Sequence, residues 1–114
     1  MKLTAKNYAN EILTDIERDN IKLYDIREKN INFLSKYGLD ENYVKDIIVQ
    51  LNSSVFKERI PNDDPKINTN YLYVFDPVFQ LVDEYGLNNM VHMYIKICNL
   101  KSGITLVVSF HENE

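Results

Sequence analysis

Hydrophobic and polar residues alternate most regularly near the C-terminal end, from Met90 to His111. Val91, Met93, Ile95 and Ile97 alternate with His92, Tyr94, Lys96 and Cys98. Beyond Leu100-Lys101-Ser102-Gly103, Ile104, Leu106, Val108 and Phe110 alternate with Thr105, Val107, Ser109 and His111. A period of two is that of a strand, whose successive side chains point to opposite faces. The segment therefore predicts a hairpin with one aliphatic and aromatic face for a core and one face of imidazole, phenol, ammonium and hydroxyl groups. The tightest turn, with Leu100 facing Gly103, sets Tyr94 opposite Ser109 and His92 opposite His111. A slip of two residues sets Tyr94 opposite His111 and still keeps polar against polar. In both registers His92, Tyr94 and His111 share one cross-strand neighbourhood. The simpler alternative is the wet outer face that antiparallel sheets usually carry.

Upstream the period changes to that of helices. Tyr8, Ile12 and Ile16, with Ala5, Ala9 and Leu13 beside them, make an apolar stripe that predicts a helix from a Thr4 cap to about Asp19. Ile21 to Tyr24 fits either a strand or a linker. Asp25 and Glu28 have capping-box spacing and open a second helix that ends at Tyr37, where Gly38 supplies a left-handed residue. Asp40 caps a third helix striped by Tyr43, Val44, Ile47, Ile48 and Leu51. Val55 to Ile60 reads as a strand with Lys57 and Arg59 on one face. Pro61 to Asn70 reads as a polar loop. Tyr71 to Phe75 reads as a strand in which Tyr71, Tyr73 and Phe75 oppose Leu72 and Val74. Val78 to Tyr85 fits a short helix begun by Asp76-Pro77 and closed by Gly86, or a strand extension.

Helices first and strands afterwards give an α+β class, with N-terminal helices packed on one face of a small, mainly antiparallel β-sheet. The stripe ending at Leu51 is expected to cover Val91, Met93, Ile95, Leu106 and Val108. A chain of 114 residues makes one domain, residues 1–114, able to bury roughly two thirds of its unfolded surface without staples. The single cysteine, Cys98, excludes an internal disulfide and suggests a reducing, cytoplasmic setting. No long apolar run at the N-terminus marks a signal peptide or membrane span. A net charge of -4 argues against a strong non-specific nucleic-acid binder. Asp76, Asp83 and Glu84, with no base between residues 76 and 88, hold most of that excess, so a small basic site elsewhere is compatible with it.

The motifs leave little other chemistry. His92 and His111 have no acidic residue at metal-ligand spacing, no glycine loop cradles a phosphate, and no serine sits in a nucleophile elbow. No metal or cofactor is expected. What remains is His92, Tyr94, Lys96, Ser109 and His111 on the hairpin, Lys57 and Arg59 on an earlier strand, and Tyr71 and Tyr73 on another. That set suits single-stranded RNA. Aromatic rings stack on unpaired bases, cations hold phosphates, and a histidine moves protons near neutral pH.

Four short motifs, over about residues 42 to 112, add a resemblance. Tyr94-Ile95-Lys96-Ile97 followed by Ser109-Phe110-His111-Glu112 resembles the C-terminal hairpin of the MqsR family of toxins, which has a Tyr-Leu-Lys-Ile type strand and closes with Ser-Phe-Lys-Glu. Tyr73 to Pro77 is similar to its Asp-Val-Tyr-x-Pro strand, and Leu51 to Phe56 to its Leu-Ser-x-Ser-x-Phe helix exit. The resemblance implies a RelE-like α+β fold, cleavage of messenger RNA without a metal, and silencing by a cognate protein antitoxin. It places the family's active-site tyrosine on Tyr94 and its terminal catalytic lysine on His111. The family's other lysine falls on Glu58, flanked by Lys57 and Arg59 as substitutes in the catalytic set. Its glutamine falls on Leu72, so that Tyr71 or Tyr73 would line the site instead. His92, Lys96 and Ser109 complete the expected substrate-binding group.

Overall fold

The computed structural model describes residues 5–24 and 27–113. Three helices, α1 (Ala5–Leu13), α2 (Glu28–Tyr37) and α3 (Glu41–Gln50), accompany six strands. The strands are β1 (Ile21–Leu23), β2 (Phe56–Pro61), β3 (Tyr71–Phe75), β4 (Val78–Val82), β5 (Asn88–Asn99) and β6 (Thr105–Glu112). They form one open sheet in the order β1-β6-β5-β3-β2, with β4 also on β5. All pairs are antiparallel except β1 with β6. The class is α+β. No helix among the described residues is long and apolar enough to cross a membrane.

Thr4 and Asp25 lie outside the described residues; α2 starts at Glu28 with Arg27 as its N-cap and no side-chain cap bond, so Glu28 does not serve as the third residue of a capping box. Asp40 does cap α3, its Oδ1 accepting the Tyr43 N–H at 2.9 Å, and α2 ends at Tyr37 with Gly38 left-handed. α1 stops at Leu13 rather than near Asp19, because the chain must turn for Ile21 to Leu23 to pair with Thr105 to Val107. Ile16 still packs on the core from beyond the helix.

β3, β4 and β5 make one long antiparallel pairing in a single register. Tyr73 faces Ile97, Phe75 faces Ile95, Val78 faces His92 and Val82 faces Asn88. Asp76-Pro77 interrupts β3 and β4 without shifting them, since the Met93 N–H still donates to the Pro77 carbonyl at 2.8 Å. Val78 to Val82 is therefore strand, and Gly86, at φ 77°, closes a hairpin turn rather than a helix. Cross-strand burial of Leu81 and Val91 outweighs the helix-start signal of Asp76-Pro77.

The β5–β6 register differs from the expected one in an informative way. Leu100 faces Ile104, not Gly103: the Leu100 N–H donates to the Ile104 carbonyl at 2.8 Å, and Gly103 takes a φ of 91°. This three-residue loop with a left-handed glycine shifts the strands by one. Ile97 then meets Val107 and Cys98 meets Leu106. A bulge at Val108 shifts them once more, so Lys96 meets Ser109 and Tyr94 meets His111. Between the two shifts the faces are inverted. Val107, not Leu106 or Val108, joins Ile97 and Phe110 in the helix-side core. Val108 and Leu106 pack on the opposite face with Cys98, Leu72 and Ile67.

The stripe of α3 enters the same core as Val91, Met93 and Ile95, but α3 lies against β1, and the helix on the hairpin is α2. Phe33 of α2 meets Phe110 edge-on at 5.9 Å. Asn30, fully buried, donates from Nδ2 to the carbonyls of Val108 (2.9 Å) and Tyr24 (3.1 Å), and its Oδ1 accepts the Phe110 N–H at 2.8 Å. Replacing it with alanine strands two buried backbone groups and the part-buried Tyr24 carbonyl. Asn30→Ala should therefore lose about 3 kcal/mol of stability, read as a lower urea midpoint. A loss below about 1 kcal/mol would show that solvent reaches these groups.

Candidate nucleic-acid interface

The face of the sheet away from the helices is divided into three zones. At one end the loop from residue 62 to 70 covers it, tucking Ile67 against Leu72, Cys98 and Val108. The Asn62 side chain pins that loop by donating to the carbonyls of Ile67 and Thr69, both at 2.9 Å. At the other end the face of β4 and β5 is bare. Between them lies an open cleft of about 420 Å³.

Tyr94 and His111, a cross-strand pair, form one wall of the cleft with their rings stacked at 5.4 Å and 20°. Lys96 and Ser109 form the next pair along, with the Lys96 ammonium 5.9 Å from the Tyr94 ring centre. Arg27, at the N-cap of α2, and Lys29, in its first turn, close the other side. The His111 Nδ1 lies 2.9 Å from the Glu112 carbonyl. A carbonyl can only accept, so in the neutral ring Nδ1 carries the proton and Nε2 keeps its lone pair. Burial pushes the Tyr94 phenol up, and the Glu58 carboxylate pushes it further, while Arg27 opposes them. Burial and Arg27 push the Lys96 ammonium down, and Asp63 and Asp64 counteract them. Arg27 also reaches the Asp64 carboxylate at 3.4 Å.

The expected residues do not all meet. Tyr94, Lys96, Ser109 and His111 line the cleft together. His92 lies on the same face of β5 but outside the cleft, its Nε2 3.6 Å from Asp76 Oδ2. Arg59, Tyr71 and Tyr73 are on the helix side of the sheet, because Arg59 pairs with Tyr73 and Tyr73 with the core residue Ile97. There the Arg59 guanidinium sits between the rings of Tyr8 (4.3 Å) and Tyr71 (3.9 Å), and the Tyr73 hydroxyl donates to Glu11 at 3.1 Å. This cluster ties α1 to β2 and β3, and cannot act on a group bound beside His111. Lys57 is exposed at an irregularity of β2, between Phe56 and Glu58. Glu58, paired with Val74 and thus on the cleft's side of the sheet, is the β2 residue whose charge reaches Tyr94.

Arg27 and Lys29 were not anticipated from the sequence. A signal for them exists: cations in the first turn of a helix oppose its dipole, so a basic pair at this position calls for another explanation. Among the described residues no three His, Cys, Asp or Glu side chains gather as a metal-ligand group. No protein-family model, curated protein or solved structure matches this chain.

Cys98 is fully buried in the loop-covered zone, and burial pushes its thiol up to about 11. It is a packing residue, not a nucleophile. At pH 8 a disulfide reagent should label it about 100-fold more slowly in the folded chain than in the urea-unfolded chain. Because the folded value is raised, the stabilising contribution is whole below the ordinary value of 9.0 and is lost as pH rises through about 11. The raised phenols of Tyr73 and Tyr94 act in the same sense above 10.0. The lowered Lys96 acts in the opposite sense. Urea midpoints should fall between pH 9 and 11, and a flat profile would mean that water reaches the thiol.

Proposed function

We propose that the protein is an endoribonuclease that binds single-stranded RNA in the Tyr94–His111 cleft and cuts it by attack of a 2′-hydroxyl. The observation that carries this reading is the stacked Tyr94–His111 pair, set in an open cleft with Lys96, Arg27 and Lys29 around it. A phenol and an imidazole give an unpaired base or ribose a flat wall. Three cations offer partners for a phosphate and for the charge that builds on it in the transition state. His111 presents Nε2 as a base. The 2′-oxygen loses its proton to that nitrogen as it bonds to phosphorus. The bond from phosphorus to the 5′-oxygen breaks, and the leaving oxygen takes a proton from the Tyr94 phenol, which burial keeps protonated. Solvent then takes the proton from the imidazolium and supplies one to the phenolate, restoring both groups. The products are a 2′,3′-cyclic phosphate and a 5′-hydroxyl, and no step calls for a metal. The hairpin's likeness to the MqsR toxins extends the proposal: a RelE-like toxin acting on messenger RNA and silenced by a cognate antitoxin.

A non-catalytic RNA-binding or protein-interaction domain is the second reading, and Glu58 favours it. That carboxylate stands where the resemblance puts a lysine, and its charge opposes phosphate beside Tyr94. One assay separates the two. Wild type and His111→Ala are incubated with a mixed-sequence single strand, with circular dichroism confirming that both fold. The first reading expects cyclic-phosphate ends from wild type and a loss of about 10² to 10⁴ in rate for His111→Ala. Binding without cleavage by either protein establishes the second reading.

Binding itself has a salt signature. Contacts from Arg27, Lys29 and Lys96 predict a log-log slope of about -2 for a single strand. Lys96→Ala should reduce it by roughly 0.7. A flat titration would remove RNA as the ligand.

A further inference from the structure

The third zone of the outer face, on the β4–β5 arm, carries Val78, Val82 and Met90 among Gln80, Asn88 and His92. Val78, Val82 and Met90 are 54%, 52% and 71% exposed, while Leu81 and Val91 on the other face of the same strands are buried. The alternation is complete, so these aliphatic side chains are not core residues turned outward by a faulty register. An apolar patch on two adjacent strands of a small chain marks an interaction surface.

The outer backbone edge of β4 runs beside it. The hydrogen bonds from Met93 N–H to the Pro77 carbonyl (2.8 Å) and from Asp83 N–H to the Leu87 carbonyl (3.0 Å) fix the ladder at both ends of β4. With one register between them, the N–H and C=O groups of Val78, Gln80 and Val82 point away from β5. No strand among the described residues pairs with that edge. Exposed edges are normally guarded by lysine, proline or a bulge, and Val78-Phe79-Gln80-Leu81-Val82 has none of these.

Charge selects the occupant. Asp76 precedes β4, Asp83 and Glu84 follow it, and no lysine or arginine occurs from Asp76 to Ile95. Hydrogen bonds from the Leu87 N–H, the Asn89 side chain and the Tyr85 N–H, with the Lys36 ammonium of α2 as a smaller contribution, hold the Asp83 carboxyl below its ordinary range, so it stays charged. A second copy fits poorly. Antiparallel pairing about Gln80 sets Asp83 and Glu84 of each copy beside Asp76 of the other, and parallel pairing sets like acids side by side. We infer that the β4 edge receives an extended segment of another protein, with aliphatic residues at alternate positions and lysine or arginine at both ends. Main-chain bonds to Val78, Gln80 and Val82 would supply affinity, and the acids at the strand ends specificity. The inference does not depend on the chemistry of the cleft.

The test uses the full chain, labelled with ¹⁵N, and the peptide acetyl-Lys-Lys-Thr-Val-Thr-Val-Thr-Lys-Lys-amide. Its control carries glutamates in place of the lysines. The lysine peptide should bind saturably, shift the resonances of residues 78–82 and 88–92, and slow amide exchange at Val78, Gln80 and Val82. The glutamate peptide should bind about tenfold more weakly. Gln80→Pro removes one outward N–H at an edge position that accepts proline, and should weaken the lysine peptide at least about tenfold. Should that variant misfold, Val82→Lys repels the same peptide with the main chain intact and should weaken it comparably. The inference is overturned by absence of saturable binding to wild type, by equal binding of the two peptides, or by full affinity in folded Gln80→Pro or Val82→Lys. A wild-type dimer at micromolar concentration protecting the same three amides would overturn it too, by making a second copy the occupant.

Discussion

The buried Asn30 side chain ties α2 to β6 and to the chain leaving β1. β1 covers the outer edge of β6 only from Thr105 to Val107. Beyond that point the amide of Asn30 takes over, accepting from Phe110 and donating to Val108 as a neighbouring strand would. A primary amide has the same donor and acceptor as a peptide unit, so it can extend a ladder where the backbone has turned away. It does so next to the Val108 bulge, where the strand has an irregular edge and buried groups that would otherwise lack partners. Together with Phe33 on Phe110, it sets α2 against β6. Arg27 and Lys29 are thereby carried to the cleft that Ser109 and His111 line from the strand.

The bulge has a second consequence. Two single-residue shifts, one at Gly103 and one at Val108, together make a two-residue slip. That slip faces Tyr94 with His111 and Lys96 with Ser109. Between the shifts the inverted faces send Leu106 and Val108 outward, where the loop pinned by Asn62 covers them. Cleft and covered zone are thus products of the same irregularity. A regular hairpin would have left a wider and flatter polar face.

The alternation from Met90 to His111 was legible because one face of a half-buried strand must be apolar, and it showed the hairpin and the Tyr94–His111 neighbourhood. The inversion was not legible, since Leu106, Val107 and Val108 are all apolar and a run of three fits either face. β4 was ambiguous because Asp76-Pro77 starts helices and also interrupts strands; only the continuous pairing with β5 decides between them. The error over Arg59, Tyr71 and Tyr73 was avoidable in part. Tyr71 and Tyr73 share parity with Phe75, and a phenylalanine at the end of a central strand belongs in the core, which takes its companions to the helix side. Arg27 and Lys29 lie 65 to 84 positions before the cleft residues Tyr94 to His111, and only tertiary packing brings them together.

The charges around the cleft bear on what it can bind. Arg27 is engaged by Asp64, Lys96 is partly desolvated, and Glu58, Asp63 and Asp64 all act on the same space. Beyond a screening length of about 8 Å such a mixed group offers a polyanion little net attraction, and the whole chain is negative. Long-range steering of the kind that gathers duplexes on basic stripes is therefore absent. If RNA is the ligand, as proposed, its binding comes from contacts at short range, among which stacking is worth roughly 1 to 3 kcal/mol per base. A half-buried ring pair can offer that only to a base free of its partner strand. On the reading proposed above, this balance disfavours a duplex and favours a short, unpaired stretch of RNA beside Tyr94 and His111.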